Sequence, residues 1–338
     1  MRFDNATPLP AALVPNAEDG DRMRILVVAA VACRIEEDGL ILLEEQPPLL
    51  RDPKLPYPND IFFLRERSVG VTVTGFVYPT KIGETHADAR LTVGDRLVRV
   101  RAHGPRTWKR TPAGLAPSVP EPFERVAMTW DNAFGGSVRR PATIVKVDGE
   151  PTLVMAHDAS FPLNPRGKGF SLSEDEANGR PLAPLEDPDR PVERWDDYPE
   201  PVCWAPCPLD CGLRAGFVVR DGEVVREDIE RLASRAAPRT TFEAIAPGTT
   251  ITVEGMRPGA EAMVFAIPES PLELEIGVGP DGERMRMALD CVDIDAEERT
   301  VRLVYRTTFG YDLVQHEQRW SILRASAVLP ATPGEPLR

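Results

Sequence analysis

Three cysteines, Cys203, Cys207 and Cys211, stand at steps of four in the stretch CWAPCPLDC. Thiolates this close become metal ligands when a fourth donor joins them, because a closed zinc site takes four ligands, usually as two spaced pairs. Steps of four would align all three on one helix face, but Pro206 and Pro208 forbid that helix. No fourth cysteine lies nearby, and the four histidines (His86, His103, His157, His316) are scattered. Two readings stand: a metal-binding module on the 203–211 loop, or cysteines packed in a proline-rich turn. The spacing favours packing, so no metal or other cofactor is expected.

Other groups raise chemistry of their own. Glu84, His86 and Asp88 alternate in ETHAD, which would set a hard-metal trio on one strand face; an exposed strand edge reads the same way. NPRGKGF (164–170) places Arg166 and Lys168 beside Gly167 and Gly169, as an anion loop would. It is not a P-loop, because Pro162 stands where the first glycine belongs and Gly169 where Ser or Thr belongs. His157, Asp158 and Ser160 are close along the chain, but a nucleophilic triad is built in space. GxSxG, HExxH and the dinucleotide fingerprint are all missing. The tryptophans, Trp108, Trp130, Trp195, Trp204 and Trp320, sit in or before glycine-rich turns, as core anchors or as contact points for a partner.

The elements that must position these residues are mostly strands. Thirty-five prolines in 338 residues argue against long helices. Residues 1–22 read as an extended lead-in. RILVVAAVACRI reads as a buried strand, with GLILLEEQPP as its partner after the turn at Glu37-Asp38-Gly39. In VGVTVTGFVYP, Val69, Val71 and Val73 share one face, and Thr72 and Thr74 the other. ARLTVGDRLVRVRAHG is a hairpin turning at Gly94-Asp95. Residues 137–221 read as an irregular proline- and glycine-rich centre without a period of 2 or 3.6. The segment 222–237 reads as the one clear helix, with Val225, Ile229 and Leu232 as its stripe and Pro238 as its stop. From 249 the strand pattern resumes as a meander. The expected fold is mainly β: two sandwich- or barrel-like parts, 23–136 and 222–330, flanking that centre.

The formal charge of -13 disfavours nucleic acid and anionic membranes as partners. Basic charge is nearly all arginine, with only five lysines. Five cysteines are an odd number in a chain long enough to fold without staples, so a reduced, cytoplasmic protein is expected. MRILVVAAVAC (23–33) has a signal-like look but is too short for a membrane span, which needs roughly 20 apolar residues.

The middle of the chain resembles a known family. TWDNAFGG, FPLNPRGKGF and GRPLAPLEDP are similar to motifs of the domain-of-unknown-function family numbered 2169. The positions that carry the likeness are Trp130, Phe134, Gly135 and Gly136, then Asn164, Pro165, Gly167, Gly169 and Phe170, with Trp108 in the flanking VRVRAHGPRTW. Strands at 24–35, 71–80 and 285–306 extend the likeness in the right order. The chain departs from the family at RERSVGV, at the cysteine loop and at AIAPGTT. The resemblance implies a bacterial, non-enzymatic adaptor or chaperone beside type VI secretion. Such proteins load an effector onto a PAAR tip or the valine-glycine-repeat spike. It supplies no catalytic residues. The motif positions are then structural or partner-binding, and Trp130, Phe134 and Phe170 are the expected contact face. The rival expectation is a hydrolase-like enzyme with a pocket under the 130–170 motifs.

Overall fold

The computed structural model describes residues 1–17, 22–49, 68–147, 150–215, 217–220, 223–226, 234–312, 318–326, 329–330 and 334–337. The chain is mainly β, arranged in several sheets, none closed into a barrel among the described residues.

The apolar run after residue 22 is the strand Arg22–Glu36. Its side chains alternate between two cores. Ile25, Val27, Ala29, Val31, Cys33 and Ile35 enter the main core, while Leu26, Val28 and Ala30 meet Leu49, Cys291 and Val304 on the other face. A strand covered on both faces reads as a continuous apolar run rather than an alternating one. It pairs with Ala11–Ala17, Thr300–Asp312 and Gly39–Leu42. Ala288–Asp295, Val69–Thr74 and Thr241–Phe242 complete this seven-stranded sheet. Val69, Val71 and Val73 face the main core as the alternation predicts, but Thr72 is buried as well, bonding Asp293 at 2.7 Å.

His86–Val93 and Arg96–His103 form the expected hairpin, with Val93 opposite Arg96 across Gly94-Asp95. Thr250–Glu254, Met263–Ala266 and Leu185–Glu186 extend it to five strands. A four-stranded sheet joins Arg2–Asn5, Arg319–Ala325, Leu272–Val278 and Asp281–Arg286. The lead-in is therefore extended and held in two sheets. The meander expected after 249 is not one sheet: its strands divide among all three. Both β-rich stretches of the chain contribute strands to the seven- and five-stranded sheets.

Two further expectations are corrected. The helix over 222–237 is not formed where the chain is described: Glu223–Arg226 is a strand antiparallel to Phe217–Arg220, and Ser234–Ala237 is not helical. The remainder, 227–233, lies outside the described residues. Val224 and Val225 are β-branched and fit a strand better than a helix. The centre is also less irregular than its sequence. Ser137–Arg140 pairs with His157–Ser160, and Thr143–Val147 with Glu150–Val154. The two pairs follow one another in the same register, as a two-stranded ribbon over 137–147 and 150–160. Among the described residues, no helix is long and apolar enough to cross a membrane.

Candidate functional site

The family-like motifs meet at the base of this ribbon. Trp130–Asn132 is a single 3-10 turn, and Phe134–Gly135 runs parallel to Lys168–Gly169. Between them sits Asn164, fully buried. Its Nδ2 donates to the carbonyls of Trp130 (2.8 Å) and Phe134 (3.0 Å). Its Oδ1 accepts from the Arg166 amide at 3.3 Å, and its own carbonyl accepts from Gly136 N at 2.9 Å. The ribbon enters and leaves through this arrangement, since Phe161 N donates to Gly136 O at 2.9 Å and the Ser137 and Ser160 hydroxyls lie 2.7 Å apart.

Gly135 and Gly136 are required here. Both have positive φ, +143° and +107°. A Cβ at Gly135 would lie 2.0 Å from Asn164 O, and one at Gly136 would lie 2.6 Å from Gly167 O. No side chain fits, and the left-handed backbone disfavours one in any case. Gly167 has the same tight packing, against Ala133 O at 2.4 Å.

The aromatic motif residues close this Asn164-centred arrangement, the clamp, from both sides. Trp130 is buried in the main core, and its indole donates to Ala205 O at 2.9 Å. Phe134 and Trp108 are buried in a satellite cluster with Phe161, Leu182 and Val192, against which Phe170 is partly buried. Phe134 and Phe161 meet edge to face at 5.1 Å, and Tyr198 stacks near Phe134, Phe161 and Phe170. Such pairs add to simple burial. Trp130 and Phe134 thus present no face to a partner, contrary to the expected contact surface. Pro165 contributes its carbonyl, which accepts from the Ser137 hydroxyl at 3.1 Å.

Cys203, Cys207 and Cys211 are buried in the main core, all without disulfides. Burial pushes the Cys203 and Cys207 thiols well above the ordinary range; for Cys207, contact with Cys211 adds to the effect. Their loop supports the clamp: Gly212 N donates to Pro162 O at 3.0 Å, and Cys211 Sγ lies 3.5 Å from Asn164 Oδ1. Among the described residues no three His, Cys, Asp or Glu side chains gather as a metal site.

The ETHAD trio does not converge. The Glu84 carboxylate accepts from the Thr80 and Lys81 amides. Asp88 forms a two-point ion pair with Arg101, whose hydrogen bond holds its carboxyl below the usual carboxylate range despite partial burial. His157, Asp158 and Ser160 are also separate in role. Asp158 pairs with Arg139 at 3.1 Å, Ser160 with Ser137, and His157 Nδ1 lies 3.1 Å from Met155 O.

What the clamp holds out is the ribbon. Its strands pair with no third strand among the described residues. No described side chain from 139 to 160 is buried. Ile144 and Leu153 are directly opposed across the ribbon, and Ile144, Leu153 and Met155 are 69%, 59% and 68% exposed. Isolated two-stranded ribbons are marginal in water, and clustered exposed apolar side chains mark interaction sites.

A model of the family described as uncharacterized protein conserved in bacteria (DUF2169) matches residues 20–306. The chain belongs to the DUF2169 family. The matched span takes in the clamp, the ribbon and the cysteine loop. No curated protein and no solved structure matches this DUF2169 chain.

Proposed function

We propose that this DUF2169 protein is a non-enzymatic, cytoplasmic adaptor that captures a protein client on the 137–160 ribbon. The observation that carries this reading is the pairing of a rigid, glycine-dependent base with an exposed apolar arm. Asn164, Gly135 and Gly136 fix the base, while Ile144, Leu153 and Met155 remain open to solvent. Rigid placement lowers the entropy lost when an arm docks. Among the described residues both edges of the ribbon lack a further strand, so a client can add one through main-chain hydrogen bonds, with the Ile144–Leu153 face supplying side-chain contact. With a net charge of -13, the adaptor suits a basic client.

The family resemblance gives that client a class: a secreted effector, loaded onto the PAAR or valine-glycine-repeat spike of type VI secretion. Co-expression of the full chain with the effector and spike protein encoded beside it tests the reading. A stoichiometric complex on size exclusion is expected, and repeated absence of any complex overturns it.

A further inference from the structure

Beside the clamp lies a cavity of about 520 Å³, lined by His103, Arg106, Lys109, Arg125 and Lys168, with Glu121 as the one carboxylate among the described residues of its lining. In a chain of net charge -13 with five lysines, two lysines and two arginines converge here. Like charges gathered against the balance of the whole molecule repel one another unless an anion joins them. Carboxylates answer only part of this charge: the buried Glu186 bonds Arg106 and lies 3.1 Å from His103 Nε2, and Glu297 lies 4.0 Å from Arg125. Arg106 is 8% exposed, and its Nε has no acceptor among the described residues. A buried donor left without a partner is unfavourable, and an entering oxyanion would offset that charge.

The remaining groups are placed to complete the site. Lys168 reaches Asn132 Oδ1 at 3.0 Å, which holds its ammonium at the wall shared with the clamp. Arg125 lies over the Phe76 ring at 4.1 Å and is fixed by it. Phe123, Val119 and Leu182 add apolar lining to the same cavity.

We propose that this cavity is a binding site for an organic oxyanion, a carboxylate or phosphate carried on an apolar body. Arg106 serves as the fixed donor, Lys109 and Lys168 as charges at the rim, and the apolar lining receives the body. This goes beyond the adaptor reading and does not depend on it.

Calorimetric titration of the full chain with phenyl phosphate and with inorganic phosphate tests the site. Phenyl phosphate is expected to bind the more tightly, and binding is expected to weaken with added salt. The Lys109→Gln/Lys168→Gln variant should lose roughly tenfold or more in affinity while keeping its unliganded melting temperature. A glutamate-rich peptide that displaces phenyl phosphate assigns the oxyanion to an acidic polypeptide segment. Failure to displace it assigns the oxyanion to a small molecule, and either result supports the site. No binding of any probe at millimolar concentration, or unchanged affinity in the double variant, overturns the proposal.

Discussion

The Asn164 carboxamide donates to the Trp130 carbonyl at 2.8 Å, joining segments 34 residues apart. The same nitrogen serves Phe134, so one side chain satisfies two main-chain carbonyls in a water-excluded place. Asn164→Ala removes that donor from both, leaving the Trp130 carbonyl with only the Ala133 amide at 3.3 Å. At about 1–3 kcal/mol for an unsatisfied buried group, a loss of about 2–4 kcal/mol is expected in denaturant unfolding. A loss under about 0.5 kcal/mol would show that Asn164 does not hold the clamp.

Gly135→Ala and Gly83→Ala separate packing from backbone strain. Both glycines have positive φ, but Gly83 has nothing within 4 Å of an added Cβ, whereas Gly135 faces Asn164 O at 2.0 Å. Gly83→Ala should cost about 1 kcal/mol, from the left-handed backbone alone. Gly135→Ala should cost at least about 3 kcal/mol or abolish soluble expression. Equal melting temperatures for the two variants would contradict the geometry.

Glu186 should give the fold an acid-sensitive element. Burial by itself raises its pKa, but the His103 hydrogen bond and the Arg106 charge outweigh that and hold it below the usual value. A depressed carboxylate contributes stability that is present above its unfolded pKa and lost as pH falls through the folded one. Melting temperature should therefore fall as pH drops from about 5 to 3, with a shallower slope in Glu186→Gln. Identical slopes would remove Glu186 from the account.

All five cysteines should be silent toward thiol reagents in the folded state. Each is buried, and burial pushes the Cys33 thiol up to about 12 and those of Cys203 and Cys207 well above the ordinary range. A colorimetric disulfide reagent should count no thiols before unfolding and five after it. Rapid labelling of the native protein, or stoichiometric zinc in elemental analysis, would return the 203–211 loop to the metal reading.

Strands with one core face were legible from alternation, as at Val69–Thr74 and along the hairpin from His86 to His103. The ribbon was not. Both of its faces meet solvent, so Thr143–Val147 and Glu150–Val154 carry no inside–outside period to read. The stripe Val225, Ile229 and Leu232 suggested a helix, although the stronger local signal was Asp221-Gly222 between two valine pairs, a hairpin sequence. The motif positions Trp130, Phe134, Asn164 and the glycines were found by resemblance. Their convergence depends on contacts across 30 residues or more, which no local pattern specifies. Steps of four made the cysteines look like ligands, whereas burial and main-chain bonding decide their role.

The most direct measurement is the affinity of the proposed client, once purified, for the Ile144→Asp/Leu153→Asp variant, set beside the unaltered chain. Both side chains are exposed, so the melting temperature should stay within about 2 °C. If the ribbon is the client-binding arm, affinity should fall about a hundredfold, as expected when an apolar contact centre is lost. Unaltered affinity in a folded variant would contradict the assignment of client capture to the ribbon.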